Sequence, residues 1–224
     1  MVSEVFRIRV FVSSPGDLTA ERDLVVSICE ELTLDLGSLH GFVIEPIRWE
    51  THTHSSVGRL SQAVRSSQLP QYDIYLGIMG FYFGTETGLY GSGTEEEFED
   101  AVLGFEKNGS PSIQFYFSNA SDDADRLDLS QFQRVKDFRK NIGERGVYYR
   151  KFSDLTQLQL LVRKGIIDDV YRLIKTKDAR SDRETPVTIS YSDLRPYEKL
   201  KAYRAVFESD PEVSSHVLMQ EATV

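Results

Sequence analysis

A single cysteine, Cys29, stands in a chain of 224 residues, so neither an internal disulfide nor a cysteine-rich zinc site can form. Cys29 falls within a helical pattern with Val25, Val26, Ile28 and Leu32, where it reads as a small core hydrophobe. Positive charge is also in short supply. The 26 Lys and Arg against 35 Asp and Glu leave a net charge of −9, and no basic stripe is visible. A surface that tracks phosphates needs clustered cations, so direct nucleic-acid binding is not expected. No apolar run approaches the roughly 18 to 20 residues of a membrane span, and Met1 to Arg9 lack the pattern of an export signal. These absences point to a cytoplasmic protein that does not engage membranes. Three chemical signatures are missing as well. There is no G-x-x-x-x-G-K-[ST] loop for an NTPase, no G-x-G-x-x-G after the first strand for a dinucleotide oxidoreductase, and no G-x-S-x-G elbow for a serine hydrolase. His52 and His54 form an H-x-H pair with no further ligand nearby in sequence, so no metal site is assigned.

What is present is regular. With 40% hydrophobic residues the chain can bury one full core and have residues left over. Phe6 to Ser13 reads as a strand that runs into the turn Ser14-Pro15-Gly16-Asp17. A helix should follow: Leu18, Val25, Ile28, Leu32 and Leu36 recur at helical spacing, Gly37 stops the pattern, and either Ser14 or Asp17 can serve as N-cap. Phe42 to Trp49 reads as a second strand and Leu60 to Leu69 as a short helix. Asp73 to Met79 is nearly all apolar, as a central parallel strand covered on both faces would be. A helix over Thr94 to Lys107, a strand at Ser112 to Phe117, an acidic loop at Ser121 to Asp128, a helix over about Gln131 to Ile142, a strand at Val147 to Phe152 and a helix over Leu155 to Ile174 complete the alternation. The pattern predicts a flavodoxin-like α/β domain over residues 1–175, an open parallel sheet of five strands with helices on both faces. Residues 176–224 read as a linker and a tail helix around Tyr197 to Phe207, or the start of a further module.

In such a sheet, ligands bind at the carboxyl ends of the strands, where strand order reverses. The unusual loops fall at that edge. Ser13, Ser14 and Asp17 offer hydroxyls and a helix start suited to phosphate or ribose, or an ordinary capped turn. Trp49 can stack on a base or bury against the sheet. Gly80 to Gly93 is long and rich in glycine and aromatics, including Phe81 and Tyr82. Its backbone is costly to order, which predicts contacts supplied by a neighbouring subunit. The segment Gly91-Ser92-Gly93-Thr94-Glu95-Glu96-Glu97 then delivers carboxylates onto the first turn of a helix. Thr94 and Glu97 have the T-x-x-E spacing of a capping box, so capping and chemistry are both open for them.

Several blocks together carry a resemblance. Val10-Phe11-Val12-Ser13-Ser14-Pro15-Gly16-Asp17-Leu18 with Glu21-Arg22, then Trp49, then Tyr72-Asp73-Ile74-Tyr75-Leu76-Gly77-Ile78-Met79-Gly80, then Gly93-Thr94 with Glu97-Phe98 and Ala101, resemble a TIR-like family. That family is similar to the TIR and nucleoside 2-deoxyribosyltransferase superfamily, and its domains often precede NACHT-type NTPase or repeat modules in defence and signalling proteins. The resemblance spans roughly Phe6 to Ile174. It implies hydrolysis of the nicotinamide–ribose bond of NAD, with Glu97 at the anomeric carbon. Ser13, Ser14, Asp17, Trp49, Gly80, Phe81, Tyr82 and Thr94 would surround the substrate. No cofactor beyond NAD as substrate is implied, and activity would be switched on in a homo-oligomer or a larger receptor assembly. Whether Glu96 or Glu97 faces the pocket stays open. A non-catalytic interaction module, and a domain acting on nucleosides or other nucleotides, are the alternatives.

Overall fold

The computed structural model describes residues 5–48, 70–119 and 128–178. Trp49, the histidine pair, the helix expected at Leu60 to Leu69, most of the acidic loop and the tail lie outside them. The described elements are β1 (Phe6–Ser13), α1 (Thr19–Leu32), α2 (Ser38–His40), β2 (Phe42–Ile47), β3 (Ile74–Met79), α3 (Gly93–Asn108), β4 (Ser112–Ser118), α4 (Leu129–Glu144), β5 (Tyr149–Phe152) and α5 (Leu155–Asp178). The strands form one all-parallel sheet in the order β2-β1-β3-β4-β5. This is the flavodoxin-like arrangement that the alternation predicts, and strand order reverses between β1 and β3.

Each face of the sheet carries its own core. Ile8, Val10 and Val12 of β1 pack with Val25, Ile28 and Leu32 of α1 and with Leu158, Val162 and Ile166 of α5 on one face. On the other, Phe11, Tyr75, Phe115 and Phe117 meet Phe98 of α3 and Phe138 of α4. The sheet is covered twice, so β3 is buried along its whole length, as its unbroken apolar sequence requires. Cys29 is fully buried in the first core, and that burial, reinforced by Glu30, pushes its thiol pKa up to about 12.

The reading of Gly37 as a helix stop is corrected. The helix runs on from α1 through a π-turn at Thr33–Gly37 into α2, and ends at Gly41, whose φ of 67° is the left-handed conformation glycine adopts without strain. Gly37 has a different job: a β-carbon there would strike the carbonyl oxygen of Phe42, so its missing side chain lets the helix close onto β2. Thr33 fastens the same junction, its hydroxyl donating to the Cys29 carbonyl at 2.9 Å and accepting from the Ile44 amide at 2.9 Å. Strand β2 ends at Ile47, short of the expected Trp49. Among the described residues no helix is long and apolar enough to cross a membrane.

Candidate functional site

Strand β1 delivers Ser13 to the carboxyl edge of the sheet, on the same face as Phe11 because side chains alternate along a strand. Across from it in the register is Gly77 of β3. A β-carbon at Gly77 would collide with the Phe115 ring and stand 3.0 Å from Cε1 of Tyr75. Without one, the Tyr75 ring lies along the strand, and its hydroxyl donates to the Thr94 carbonyl at 3.4 Å.

The first turn of α3 supplies the carboxylate. Ser92 is the N-cap, extended at φ −158° and ψ 162°, and its hydroxyl accepts from the Glu95 amide at 3.1 Å. Glu95 reaches back to accept from the Gly91 amide at 2.7 Å. The helix is therefore capped by Ser92, with Glu95 holding the residue before the cap, and the reading of Thr94 as the N-cap is corrected. Thr94 is buried inside the turn. Glu97 is only 8% exposed, and its Oε2 accepts from the Ser13 hydroxyl at 2.5 Å. The Tyr75 hydroxyl belongs to the same cluster. Burial holds its pKa well above the tyrosine range and the Glu97 charge adds to that, while a hydrogen bond with Ser13 partly opposes it. Tyr72 beside them is raised by burial and by the charges of Asp100 and Glu97.

The acidic run does not crowd one point, because successive helical residues diverge by about 100°. Glu95 caps, Glu99 pairs with Arg145, and Glu97 meets β1. Glu96 is 7% exposed, and its Oε2 makes no hydrogen bond.

The β1–α1 loop is held from beneath by Arg22, a residue that the sequence reading named only as part of the resemblance and gave no role. Arg22, 5% exposed, donates to the Ser14 hydroxyl at 2.8 Å and to the Pro15 carbonyl at 2.7 Å. The signal was legible: Arg22 sits four residues after Leu18 and three before Val25, on the apolar stripe of α1. Neither Ser14 nor Asp17 caps α1, since Leu18 holds that position with no side-chain bond. The Asp17 side chain opens to solvent at the rim, yet the protein beneath it removes enough water to raise its carboxyl pKa; its own backbone amide and Arg22 oppose the shift, and Glu21 adds to it. Gly80 passes under this loop, where a β-carbon would stand 3.2 Å from Leu18 and 3.6 Å from Asp17 Oδ2.

The Gly80 to Ser92 loop makes contacts within its own chain. Its anchors are on α4. Phe83 is buried, its amide donates to Gln131 Oε1 at 2.9 Å, and the Arg134 guanidinium lies over its ring at 4.9 Å. Arg134 also donates to the Gly91 carbonyl at 2.8 Å. Phe81 packs on Phe132, with ring centroids 5.4 Å apart, and Tyr82 is 39% exposed.

Ser13, Ser14, Asp17, Gly80, Thr94 and Glu97 thus meet at the carboxyl edge where strand order reverses, with Phe81 and Tyr82 on the adjoining loop and Trp49 outside the described residues. The model of a domain of unknown function, DUF4062, matches residues 9–167. The chain belongs to the DUF4062 family. No curated protein matches it. The DUF4062 match begins within β1 and ends within α5, so every residue of the cluster lies inside the family domain and the tail lies outside it.

Proposed function

We propose that this DUF4062 domain is TIR-like and hydrolyses the N-glycosidic bond between nicotinamide and ribose in NAD or a closely related nucleotide. The observation that carries the reading is Glu97: a buried carboxylate at the strand-order switch point, hydrogen-bonded by Ser13. Bond cleavage passes through an oxocarbenium-like state at the ribose carbon, and one carboxylate beside it stabilises the developing positive charge. The C1′–N bond breaks with its electron pair going to nicotinamide, which leaves neutral and needs no acid. Water then bonds to C1′ and gives up a proton. In this reading the Ser13 hydroxyl fixes the carboxylate's orientation, and Asp17 at the rim, with Ser14 buried behind it, takes ribose or phosphate.

The test is NAD consumption by purified protein at high concentration. Glu97→Gln keeps an acceptor for Ser13 and should fold normally, while NAD loss drops to background. Glu96→Gln should consume NAD within a few-fold of wild type; loss of activity in that variant alone would move the role to Glu96. Equal consumption by wild type and Glu97→Gln ends the assignment. The interaction-module reading is favoured by one observation, the exposed Tyr82 and Leu89 on the same loop, at 39% and 73%. It expects no NAD loss in any variant.

A further inference from the structure

Three polar side chains reach the carboxyl edge from the end of β1 and the loop after it, and two of them are already engaged within the protein. The Ser13 hydroxyl, fully buried, gives its proton to Glu97. Ser14 is buried too; its oxygen accepts from Arg22, and its proton goes to the Pro15 carbonyl at 3.2 Å. Asp17 is the third. It caps no helix, because Leu18 holds the N-cap position of α1 without a side-chain bond, and it is exposed. Its Oδ2 stands 3.6 Å from where a β-carbon of Gly80 would be. The carboxylate therefore leans from the β1 side over the end of β3, across the gap where strand order reverses.

The charges around Asp17 decide what it can hold. Its charged neighbours on α1 are Glu21 and Arg22. Arg22 directs its terminal nitrogens beneath the loop, to Ser14, Pro15 and Thr19, so a phosphate arriving at the rim meets the carboxylates of Asp17 and Glu21 first, and like charges repel. A sugar hydroxyl brings a proton instead. An ionised carboxylate only accepts, through two oxygens with about four lone-pair sites, which complements two adjacent hydroxyls. The partial burial that raises the Asp17 carboxyl pKa also removes water that would compete for such bonds. We propose that Asp17 reads the sugar: its carboxylate accepts from the ribose hydroxyls of the bound nucleotide, while Ser14, held by Arg22, forms the wall behind it. The proposal rests on the reading of this edge as a nucleotide site and names the part of the nucleotide that the β1–α1 loop takes.

A site built to accept from a hydroxyl rejects the analogue that lacks it, and binding tests this apart from catalysis. In the full chain carrying Glu97→Gln, calorimetry should show nicotinamide riboside binding at least about tenfold tighter than its 3′-deoxy counterpart, the scale of one hydrogen bond. Adding Asp17→Ala should weaken the riboside and nicotinamide mononucleotide by a similar factor, leave the 3′-deoxy analogue within about twofold, and so erase the preference. No riboside binding, an equal loss for riboside and 3′-deoxy analogue, or a gain in mononucleotide affinity on Asp17→Ala overturns the proposal, the last by placing phosphate at the loop. NAD consumption by the chain with Glu97 intact reads the catalytic assignment separately. A protein that shows the ribose preference yet consumes no NAD refutes hydrolysis and upholds Asp17; one that consumes NAD with no ribose preference refutes Asp17 alone.

Discussion

The Ser13 hydroxyl and the Glu97 carboxylate are 84 residues apart in sequence and 2.5 Å apart in space, and the closeness depends on one residue that contributes no atoms to the bond. Gly77 leaves the gap into which the Tyr75 and Phe115 rings fit, and Tyr75 in turn lies against Ser13. Gly77→Ala should therefore cost about 1–3 kcal/mol, as overpacked cores do, and a lower urea midpoint with an unchanged slope would show it. An unchanged midpoint would mean that the rings have room to move. Much of this cluster was legible beforehand: the S-S-P-G-D turn and the glycine-acid segment both read as site loops. The role of Gly77 was not, since a glycine in an apolar strand gives no sign of which ring needs its space. The N-cap was misread by two positions because Ser92-x-x-Glu95 and Thr94-x-x-Glu97 overlap in one run of acids. Only the extended backbone at Ser92 distinguishes them.

Helix ends repeat one device across the molecule. At α3, Ser92 caps and Glu95 reaches back to the residue before the cap. At α5, Asp154 accepts from the Gln157 amide at 2.8 Å, and Gln157 reaches back to the Ser153 amide at 2.7 Å. Ser92→Ala should lower stability by about 0.5–2 kcal/mol, measurable by thermal or urea unfolding, and free the start of the helix that carries Glu97. Asp128, which caps α4, and Asp154 share a further property: hydrogen bonds lower both carboxyl pKa values below the ordinary 3.8, chiefly from the Ser130 hydroxyl in one and the Gln157 amide in the other. A depressed folded-state pKa contributes stability above the unfolded value and loses it as pH falls through the folded value. These caps should accordingly persist through pH 4 and fail only below 3.8. Carboxyl NMR titration midpoints at or above 3.8 would show that the cap bonds do not form in solution. Sequence located these elements well and their ends less well, because helix ends are decided by side-chain bonds that several neighbouring residues can make equally.

Across the whole molecule, the glycine-aromatic loop stands on Phe83, Gln131 and Arg134 of its own chain. The proposed NAD hydrolysis would be controlled by assembly, as the resemblance to TIR-like domains implies. Specific activity should rise with concentration over a hundredfold range, and removing residues 177–224 should flatten the rise. A constant specific activity throughout would make the enzyme constitutive. The five-stranded parallel sheet followed directly from the alternation of patterns, whereas the order of its strands did not. The two faces were less legible, because a buried parallel strand is apolar on both sides and does not announce which helix each side meets.

That division of the core has a spectroscopic consequence. The α3/α4 face is a connected network of rings, from Phe11 and Tyr72 through Tyr75, Phe98, Phe115 and Phe138 to Phe117 and Tyr149. The α1/α5 face is largely aliphatic. Among the described residues, the packed rings that contribute to near-ultraviolet circular dichroism are concentrated on the face that carries Glu97, while methyl resonances of isoleucine, leucine and valine report chiefly on the other. A nucleotide settling beside Tyr75 would perturb the first signal and leave most of the second in place, so the molecule carries a separate optical and magnetic readout for each side of its sheet.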